Sequence, residues 1–326
     1  MDEQTARLSV RDIGVIVPSN IGDAVLTLPL IAEALAHFPK ARLTIAGGPR
    51  ARAVFEGDPR VGRFLEYGGD GQSWRERFAV MQQLRQQRCD VFVDVRHTVL
   101  PWCVRARWRT NPLRQSPREL LHRHERYRWY LTTLLRRLGI TASVSLTPTQ
   151  VWAFTPEEQR AVEQWWEAWE LDPLQPILAI SPGARSDQKR WPAAPFAHVC
   201  RRMMEASQAQ LILTGEASER ALIDEICQHL EPQPVRVDGR TTIRTLALLL
   251  TRCDGLLAND SAALHVASSV QLPTVALFGP TDPAKYGPRS PRSTVIHRDP
   301  ITQISVEEVV HALDPLCHAK AAHVTS

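Results

Sequence analysis

Short apolar runs, each followed by small or polar residues, recur through both halves of the chain. Between them, apolar residues are spaced as on one face of a helix, for example from Ala24 to His37. Apolar strands that alternate with helices are typical of parallel βαβ units, so the pattern predicts an α/β fold with doubly wound sheets. The predicted strands are Ile13–Val17, Arg42–Ala46, Asp90–Asp94, Pro176–Ile180, Gln210–Thr214, Val235–Asp238, Gly255–Ala258 and Val275–Phe278.

The strand and helix pattern starts afresh near Pro176, after a tryptophan-rich helix predicted from Val162 to Leu171. A last helix is predicted from Ser305 to Leu313. We therefore predict two Rossmann-like domains facing a central cleft, with residues 1–165 in the first and 166–326 in the second.

Composition fits such a protein. The chain has 326 residues, 44% of them hydrophobic, and a formal net charge of +4. Its six cysteines form no C-x-x-C pair, which argues against structural zinc and iron–sulfur sites and favours thiols in the core and a reducing compartment. The N-terminus lacks the apolar segment of a signal peptide, and no apolar run reaches the roughly 18 residues needed to span a bilayer. These features predict a cytoplasmic protein.

The segment 258–267 suggests a diphosphate site. A buried strand is expected to end at Asn259-Asp260, and a helix to start on Ser261. The free N–H groups of such a helix bind phosphate, and the small side chains of Ser261 and Ala262 allow close approach. Asp260 caps this helix or binds part of the ligand, and His265 follows Ser261 by one turn. The alternatives are a helix packed tightly on its sheet and a structural histidine.

Three further residues each allow two interpretations. Asp23 closes the first strand-to-helix turn, where it is either a helix N-cap or first-turn acid favoured by the helix dipole, or a general base at the cleft edge. Lys189 belongs to a polar loop that is either solvated or neutralises a leaving diphosphate. Glu216 follows a strand, where it is either a first-turn helix acid or an acceptor of hydrogen bonds from ribose or sugar hydroxyls.

Charge is most asymmetric between Arg96 and Arg137, where eleven arginines stand against Glu119 and Glu125. Tryptophan and tyrosine residues are interleaved with them. A solvated face, a nucleic-acid site, a phosphorylated acceptor and an anionic membrane surface are all consistent with this pattern. Arginine's preference for phosphate favours the acceptor, for which Arg96, His97 and Arg123 are the candidate ligands.

Taken together, five motifs in order resemble the ADP-heptose:lipopolysaccharide heptosyltransferases, a GT-B glycosyltransferase family. The resemblance covers roughly residues 12 to 298. In chain order, the motifs are Ser19–Pro29, His124–Tyr127 with Leu138-Gly139, Ser181–Ala184 with Lys189–Pro192, Asn259–Ala267 and Phe278–Pro283.

The resemblance implies an inverting transfer of heptose from ADP-heptose to a lipopolysaccharide inner-core acceptor, without metal or cofactor. Asp23 would be the catalytic base and Lys189 the donor-phosphate ligand. The other implied donor ligands are Asp260, Ser261, Ala262, His265 and Glu216. Ala262 stands where the family commonly has glycine, a departure that bears on the donor contact.

The resemblance also implies partners. They are a nucleotide sugar and a phosphorylated lipid or oligosaccharide acceptor. Peripheral contact with the cytoplasmic face of the inner membrane is compatible with the resemblance. Nucleic acid is not expected as a partner. Four alternatives remain at this point. Two are enzymes: a related transferase that uses another nucleotide sugar, and a GT-B epimerase. Two are not: an arginine-rich polyanion-binding protein, and a family member that binds a sugar nucleotide as a sensor.

Overall fold

The computed structural model describes residues 10–67, 73–86, 88–141, 144, 147–228 and 230–324. The chain divides into two compact units between Thr155 and Pro156. The helix that contains the predicted boundary at 165/166 lies wholly in the second unit. It is tied there by Glu158, whose carboxylate accepts two hydrogen bonds from the buried guanidinium of Arg244, at 2.5 and 2.8 Å.

The first unit is built on a parallel sheet of five strands in the order β3-β2-β1-β4-β5. The strands are β1 (Asp12–Ile16), β2 (Arg42–Gly47), β3 (Val61–Glu66), β4 (Arg88–Asp94) and β5 (Arg105–Arg109). The helices are α1 (Ile21–Val25), α2 (Leu28–His37), α3 (Pro49–Phe55), α4 (Trp74–Gln86), α5 (Leu100–Cys103), α6 (Arg123–Arg137) and α7 (Pro148–Val151).

The second unit repeats this topology with one more strand, in the order β11-β10-β9-β6-β7-β8, again all parallel. The strands are β6 (Ile177–Ser181), β7 (Gln210–Leu213), β8 (Val235–Arg236), β9 (Gly255–Asn259), β10 (Thr274–Phe278) and β11 (Thr294–His297). The helices are α8 (Pro156–Ala168), α9 (Ala193–Ser207), α10 (Arg220–Cys227), α11 (Ile243–Leu250), α12 (Ala262–Ser269), α13 (Pro283–Tyr286) and α14 (Val306–Val324).

The central strands carry the cores. Every residue of β6, β9 and β10 is buried, because helices cover both faces of a parallel sheet. This explains why those strands are continuous apolar runs rather than alternating ones. In β6 and β9 the one polar residue, Ser181 or Asn259, is the last residue of the strand, where the chain leaves the sheet.

The single helix predicted from Ala24 to His37 is wrong, since two helices meet at Leu26-Thr27. Pro29 lies in the first turn of α2 and lacks the N–H that a continuous helix would need there. The hydroxyl of Thr27 donates to the carbonyl of Ala24 at 2.6 Å and completes the break. The motif around Asp23 therefore forms a separate short helix, α1.

Three strands were not predicted from the sequence: β3, β5 and β11. Each is an edge strand with exposed positions, so its side chains need not all be apolar. The last helix also runs well past Leu313, to Val324, and contains Pro315.

The cysteines are free thiols, and all but Cys103 are buried. Burial raises the pKa of Cys200 to about 12 and that of Cys317 to about 11, so both thiols stay protonated at neutral pH. The prediction that most cysteines are core residues is confirmed. Among the described residues, no helix is both long and apolar enough to cross a membrane.

Candidate functional site

In the second unit, two polar residues singled out from the sequence, Lys189 and Asp260, meet at the point where strand order reverses. β6 is the first strand of this sheet in the chain, and β7 and β9 lie on its two sides. The loops that leave β6 and β9 therefore run in opposite directions and open a crevice at their carboxyl ends, the usual ligand position in such sheets. Lys189 belongs to the loop after β6, and Asp260 follows β9 directly.

Lys189 and Asp260 form an ion pair, with 2.7 Å between Nζ and Oδ2. The Asp260 side chain is 6% exposed and that of Lys189 32%. The lysine is therefore not the solvated loop residue that its surroundings in the sequence also allowed. Its ammonium group lies at the crevice, partly exposed to solvent, and pairs with the buried carboxylate of Asp260.

Asn259, at the end of β9, is fully buried and hydrogen-bonds to both ends of the loop that follows β6. Its Nδ2 donates to the carbonyl of Pro182 at 2.7 Å, and its Oδ1 accepts from the N–H of Trp191 at 3.2 Å. Trp191 is itself fully buried and donates through Nε1 to the carbonyl of Ile304. These bonds fix both ends of the loop that carries Lys189.

Helix α12 begins beside this ion pair. Ser261 is its N-cap residue and makes no capping hydrogen bond with its side chain, which leaves the first N–H groups of the helix available. Within the described part of the chain, the Ser261 hydroxyl has no hydrogen-bond partner. Ala262 is the first helical residue, in right-handed conformation, so its backbone does not need glycine there. The substitution adds one methyl group at the helix start and no strain.

His265 lies one turn further along α12 and is buried. Its ring centre is 6.2 Å from that of Tyr286 in α13. The motif Phe278–Pro283 supports this arrangement, because Asp282 caps α13 by accepting from the N–H of Ala284 at 3.0 Å. The motif thus holds the neighbour of His265 in place.

Gly279 of the same motif touches the lysine loop. A Cβ at this position would come within 2.7 Å of the backbone carbonyl oxygen of Gln188, the residue before Lys189. Only glycine allows the two backbones to approach so closely. The two motifs, distant in sequence, are therefore one packed structure.

Two carboxylates follow β7. Glu216 is exposed at the start of the short helix Ala217–Glu219, and its N–H donates to Oε2 of Glu219 at 2.8 Å. Glu219 was not singled out from the sequence. Its carboxylate lies so close to Gly183, in the loop after β6, that a Cβ there would be 1.8 Å from Oε1. Burial raises the pKa of Glu219 above that of a solvated glutamate.

In the first unit, the reversal of strand order lies between β1 and β4. Asp23 follows β1 and lies in α1, where the cap position belongs to Asn20. Asp23 is therefore a first-turn acid and not the cap. Its Oδ1 accepts a hydrogen bond from the hydroxyl of Tyr127, 3.2 Å away and buried in α6. Tyr127 closes the motif His124–Tyr127, for which the sequence suggested no role.

Helix α6 is locked to α2 next to this contact. Arg128 donates from Nε and Nη2 to the two carboxylate oxygens of Glu33, at 2.7 and 3.1 Å. The pair is bidentate, with a buried Glu33 carboxylate and an Arg128 side chain that is 41% exposed. This ion pair fixes the position of α6, the helix from which Tyr127 contacts Asp23.

The three candidate acceptor ligands lie at two places in the first unit. Arg96 and His97 follow β4, in a loop organised by Asp94, which accepts from the N–H groups of Arg96 and Thr98. His97 has a left-handed backbone, with φ of 61°. Arg123 is the first residue of α6. Because β4 pairs with β1, Arg96 and His97 leave the sheet beside the turn that leads to Asp23.

A model of glycosyltransferase family 9 (heptosyltransferase) matches residues 77–311. The chain belongs to glycosyltransferase family 9. Lipooligosaccharide heptosyltransferase 2 of Campylobacter jejuni is 34% identical over 128 residues, which span 38% of this chain and 40% of that relative. Lipopolysaccharide heptosyltransferase 3 of Escherichia coli is 23% identical over 289 residues, 82% of each chain.

Solved structures show that this family 9 chain shares the fold of its relatives. The structure of E. coli ADP-heptose lps heptosyltransferase II has a TM-score of 0.74 at 21% identity, covering 95% of this chain and 99% of that one. A family 9 glycosyl transferase from Veillonella parvula has a TM-score of 0.79 at 22% identity, covering 95% and 98%. The family and the GT-B fold predicted from the five motifs are confirmed.

Proposed function

We propose that this family 9 glycosyltransferase transfers heptose from ADP-heptose to a phosphorylated inner-core acceptor of lipopolysaccharide. Family membership supports the reaction class. The observation that carries the proposal is the Lys189–Asp260 pair beside the uncapped start of α12. A cation and free helix N–H groups at one crevice suit a diphosphate, and a buried carboxylate suits sugar hydroxyls.

Each proposed donor ligand has a distinct task. The diphosphate accepts hydrogen bonds from the N–H groups of α12 and from the Ser261 hydroxyl, next to the small side chain of Ala262. Lys189 exchanges part of its pairing with Asp260 for a phosphate oxygen. Asp260 and His265 bind the sugar, and Glu216 or its partner Glu219 accepts hydrogen bonds from the ribose.

The transfer itself is a single displacement with inversion. The bond from the anomeric carbon to the diphosphate oxygen breaks, and the acceptor oxygen forms a new bond to that carbon from the opposite side. Positive charge develops on the sugar ring while negative charge collects on the leaving ADP, where Lys189 and α12 offset it. Asp23 takes the proton from the acceptor hydroxyl.

The acceptor belongs, in this proposal, to the first unit. Asp23, Arg96 and His97 leave that sheet at the ends of paired strands, and Arg123 starts the helix that holds Asp23 through Tyr127. The arginines bind phosphate groups of the acceptor. We place the reaction in the cytoplasm, where nucleotide sugars are available.

Calorimetric titration with ADP, UDP and GDP tests the donor assignment. We expect ADP to bind most tightly, and Lys189→Met to weaken ADP binding by about 10- to 100-fold, the range for a lost charged hydrogen bond. Lys40→Met removes an exposed lysine of the other unit and should leave binding unchanged. Preference for UDP or GDP would favour a related transferase with another donor, and unchanged affinity in Lys189→Met would remove that lysine from the donor site.

A further inference from the structure

The edge strand β11 of the second unit ends in a histidine that contacts the motif Phe278–Pro283. His297 is the last residue of β11 and pairs in register with Phe278, the last residue of β10. Its imidazole Nε2 lies 2.9 Å from the carbonyl oxygen of Gly279. A carbonyl oxygen can only accept a hydrogen bond, so Nε2 carries the hydrogen and donates it.

This bond continues the hydrogen-bonding ladder of the sheet beyond its last strand residues. The carbonyl oxygen of Phe278 accepts from the N–H of Arg298 at 3.1 Å, which is the last backbone bond between β10 and the chain after β11. The next carbonyl oxygen, that of Gly279, accepts from the imidazole of His297. The histidine side chain therefore fixes the turn by which the chain leaves β10.

Gly279 lies between this histidine and the lysine loop. A Cβ at Gly279 would be 2.7 Å from the carbonyl oxygen of Gln188 and 3.2 Å from the Cβ of Ile301. Gln188 directly precedes Lys189 in the chain. Because the backbones are already in close contact, a displacement of Gly279 changes the packing of the residue that precedes the lysine.

The segment 297–304 also holds the far end of the lysine loop. Ile304 follows the short helix Ile301–Gln303 and is buried. Its carbonyl oxygen accepts from Nε1 of Trp191 at 3.1 Å, two residues after Lys189. Together with the contact through the glycine, this segment supports the loop on both sides of the lysine.

A solvated surface residue is the simpler interpretation of an exposed histidine on an edge strand. His297 and its neighbours Val295 and Arg298 are all exposed. A solvated imidazole, however, has no reason to bond to the one glycine whose backbone touches the lysine loop. Exposure also means that the side chain can be replaced without opening a cavity in the core.

We propose that His297 is a positioning residue for Lys189 and acts through Gly279 and Gln188. The imidazole fixes the turn after β10, and this turn supports the loop that presents Lys189 beside Asp260. The role depends on the proposed function, in which Lys189 binds the diphosphate of the donor.

Calorimetric titration of the full-length protein with ADP tests this role. His297→Leu removes the hydrogen-bond donor and should weaken ADP binding by roughly 2- to 10-fold, the range for loss of one neutral hydrogen bond. His297→Gln places an amide N–H near the position of Nε2 and should restore most of the lost affinity. Thermal unfolding should shift little in either variant, since the side chain is exposed.

A double-mutant cycle separates positioning of the lysine from a general effect on the fold. In a Lys189→Met background, His297→Leu should have little further effect on ADP affinity, because the group that it positions is gone. A histidine that only stabilises the fold would weaken ADP binding equally in both backgrounds.

His318→Leu is the matched control. His318 is also exposed, and its Nδ1 also bonds to a backbone carbonyl oxygen, that of Asp314 at 2.8 Å, but within α14. This variant should bind ADP like wild type.

Three results would overturn the positioning role. They are unchanged ADP affinity in His297→Leu, a loss of affinity that His297→Gln or His318→Leu shares, and an equal loss with and without Lys189. If Lys189→Met weakens ADP binding and His297→Leu does not, only the positioning role is lost and the proposed function stands. If Lys189→Met leaves ADP binding unchanged, the proposed donor site is wrong, and the positioning role is lost with it.

Discussion

At the scale of single residues, the structure supplies contacts that the sequence could not show. Asp23 suited a helix N-cap or first-turn acid as well as a general base, because all three need an acid after the first strand. Asn20 takes the cap position, and Asp23 instead receives a hydrogen bond from Tyr127. A buried hydroxyl aimed at a carboxylate fixes the direction of its lone pairs, which a base requires and a solvated surface acid does not.

Tyr127→Phe should therefore lower the turnover of transfer by about tenfold, the effect of one hydrogen bond to a charged group. The ring and its packing in α6 remain, so the Michaelis constant for ADP-heptose and the unfolding temperature should stay as in wild type. Steady-state kinetics with varied donor measures both parameters.

Tyr130→Phe is the matched control, since Tyr130 lies three residues later in α6 and is equally buried. A loss of turnover shared by both variants would assign the effect to helix packing and not to the bond with Asp23.

At the scale of helices, strands and loops, the buried parallel strands could be predicted because they are continuous apolar runs bounded by small residues. Of the four edge strands, β8 was predicted, whereas β3, β5 and β11 were not, because exposure weakens the apolar signal, and β5 consists largely of arginines. The break between α1 and α2 could have been found from Pro29. The start of α12, where we propose that the diphosphate binds, could be predicted, since its small residues follow a buried strand in the sequence.

The contacts that hold the candidate site together could not be predicted, because they join residues far apart in the chain. Asn259 bonds to the loop that follows β6, about eighty residues earlier. Gly279 touches the backbone next to Lys189, and Glu219 lies against Gly183. In the sequence, such residues look like ordinary turn formers. Their roles become visible only when the sheet brings the loops to one edge.

Gly279→Ala tests this packing. The added methyl group would meet the carbonyl oxygen of Gln188 at 2.7 Å, so the loop must shift, at a cost of about 1–3 kcal/mol. Chemical denaturation should show this lower free energy of unfolding, and ADP should bind more weakly because Lys189 moves with the loop.

Gly62→Ala provides the comparison, because a Cβ there is 3.5 Å from its nearest described neighbour, the carbonyl oxygen of Leu43. That variant should unfold and bind ADP like wild type. Equal behaviour of the two variants would show that the close approach at Gly279 has no bearing on the lysine loop.

At the scale of the whole molecule, the chain uses one topology twice. Both sheets reverse strand order beside their first strand, and in each unit several candidate residues follow the strands at that reversal: Asp23, Arg96 and His97 in the first, Lys189 and Asp260 in the second. The two units differ in chemistry: the second offers a lysine, a buried acid and a free helix start, whereas the first offers a carboxylate and arginines. This difference supports a division of labour in which one unit binds the donor and the other activates the acceptor.

The central claim is that Asp23 acts on the acceptor and takes no part in holding the donor. The most direct test measures heptose transfer and ADP-heptose affinity together, in wild type and in Asp23→Asn, which keeps the size of the side chain and removes its ability to take a proton. We predict that transfer falls by at least about 100-fold, as expected for loss of a general base, while donor affinity is unchanged. Transfer at a rate close to that of wild type, or loss of donor binding in parallel with transfer, would contradict the account.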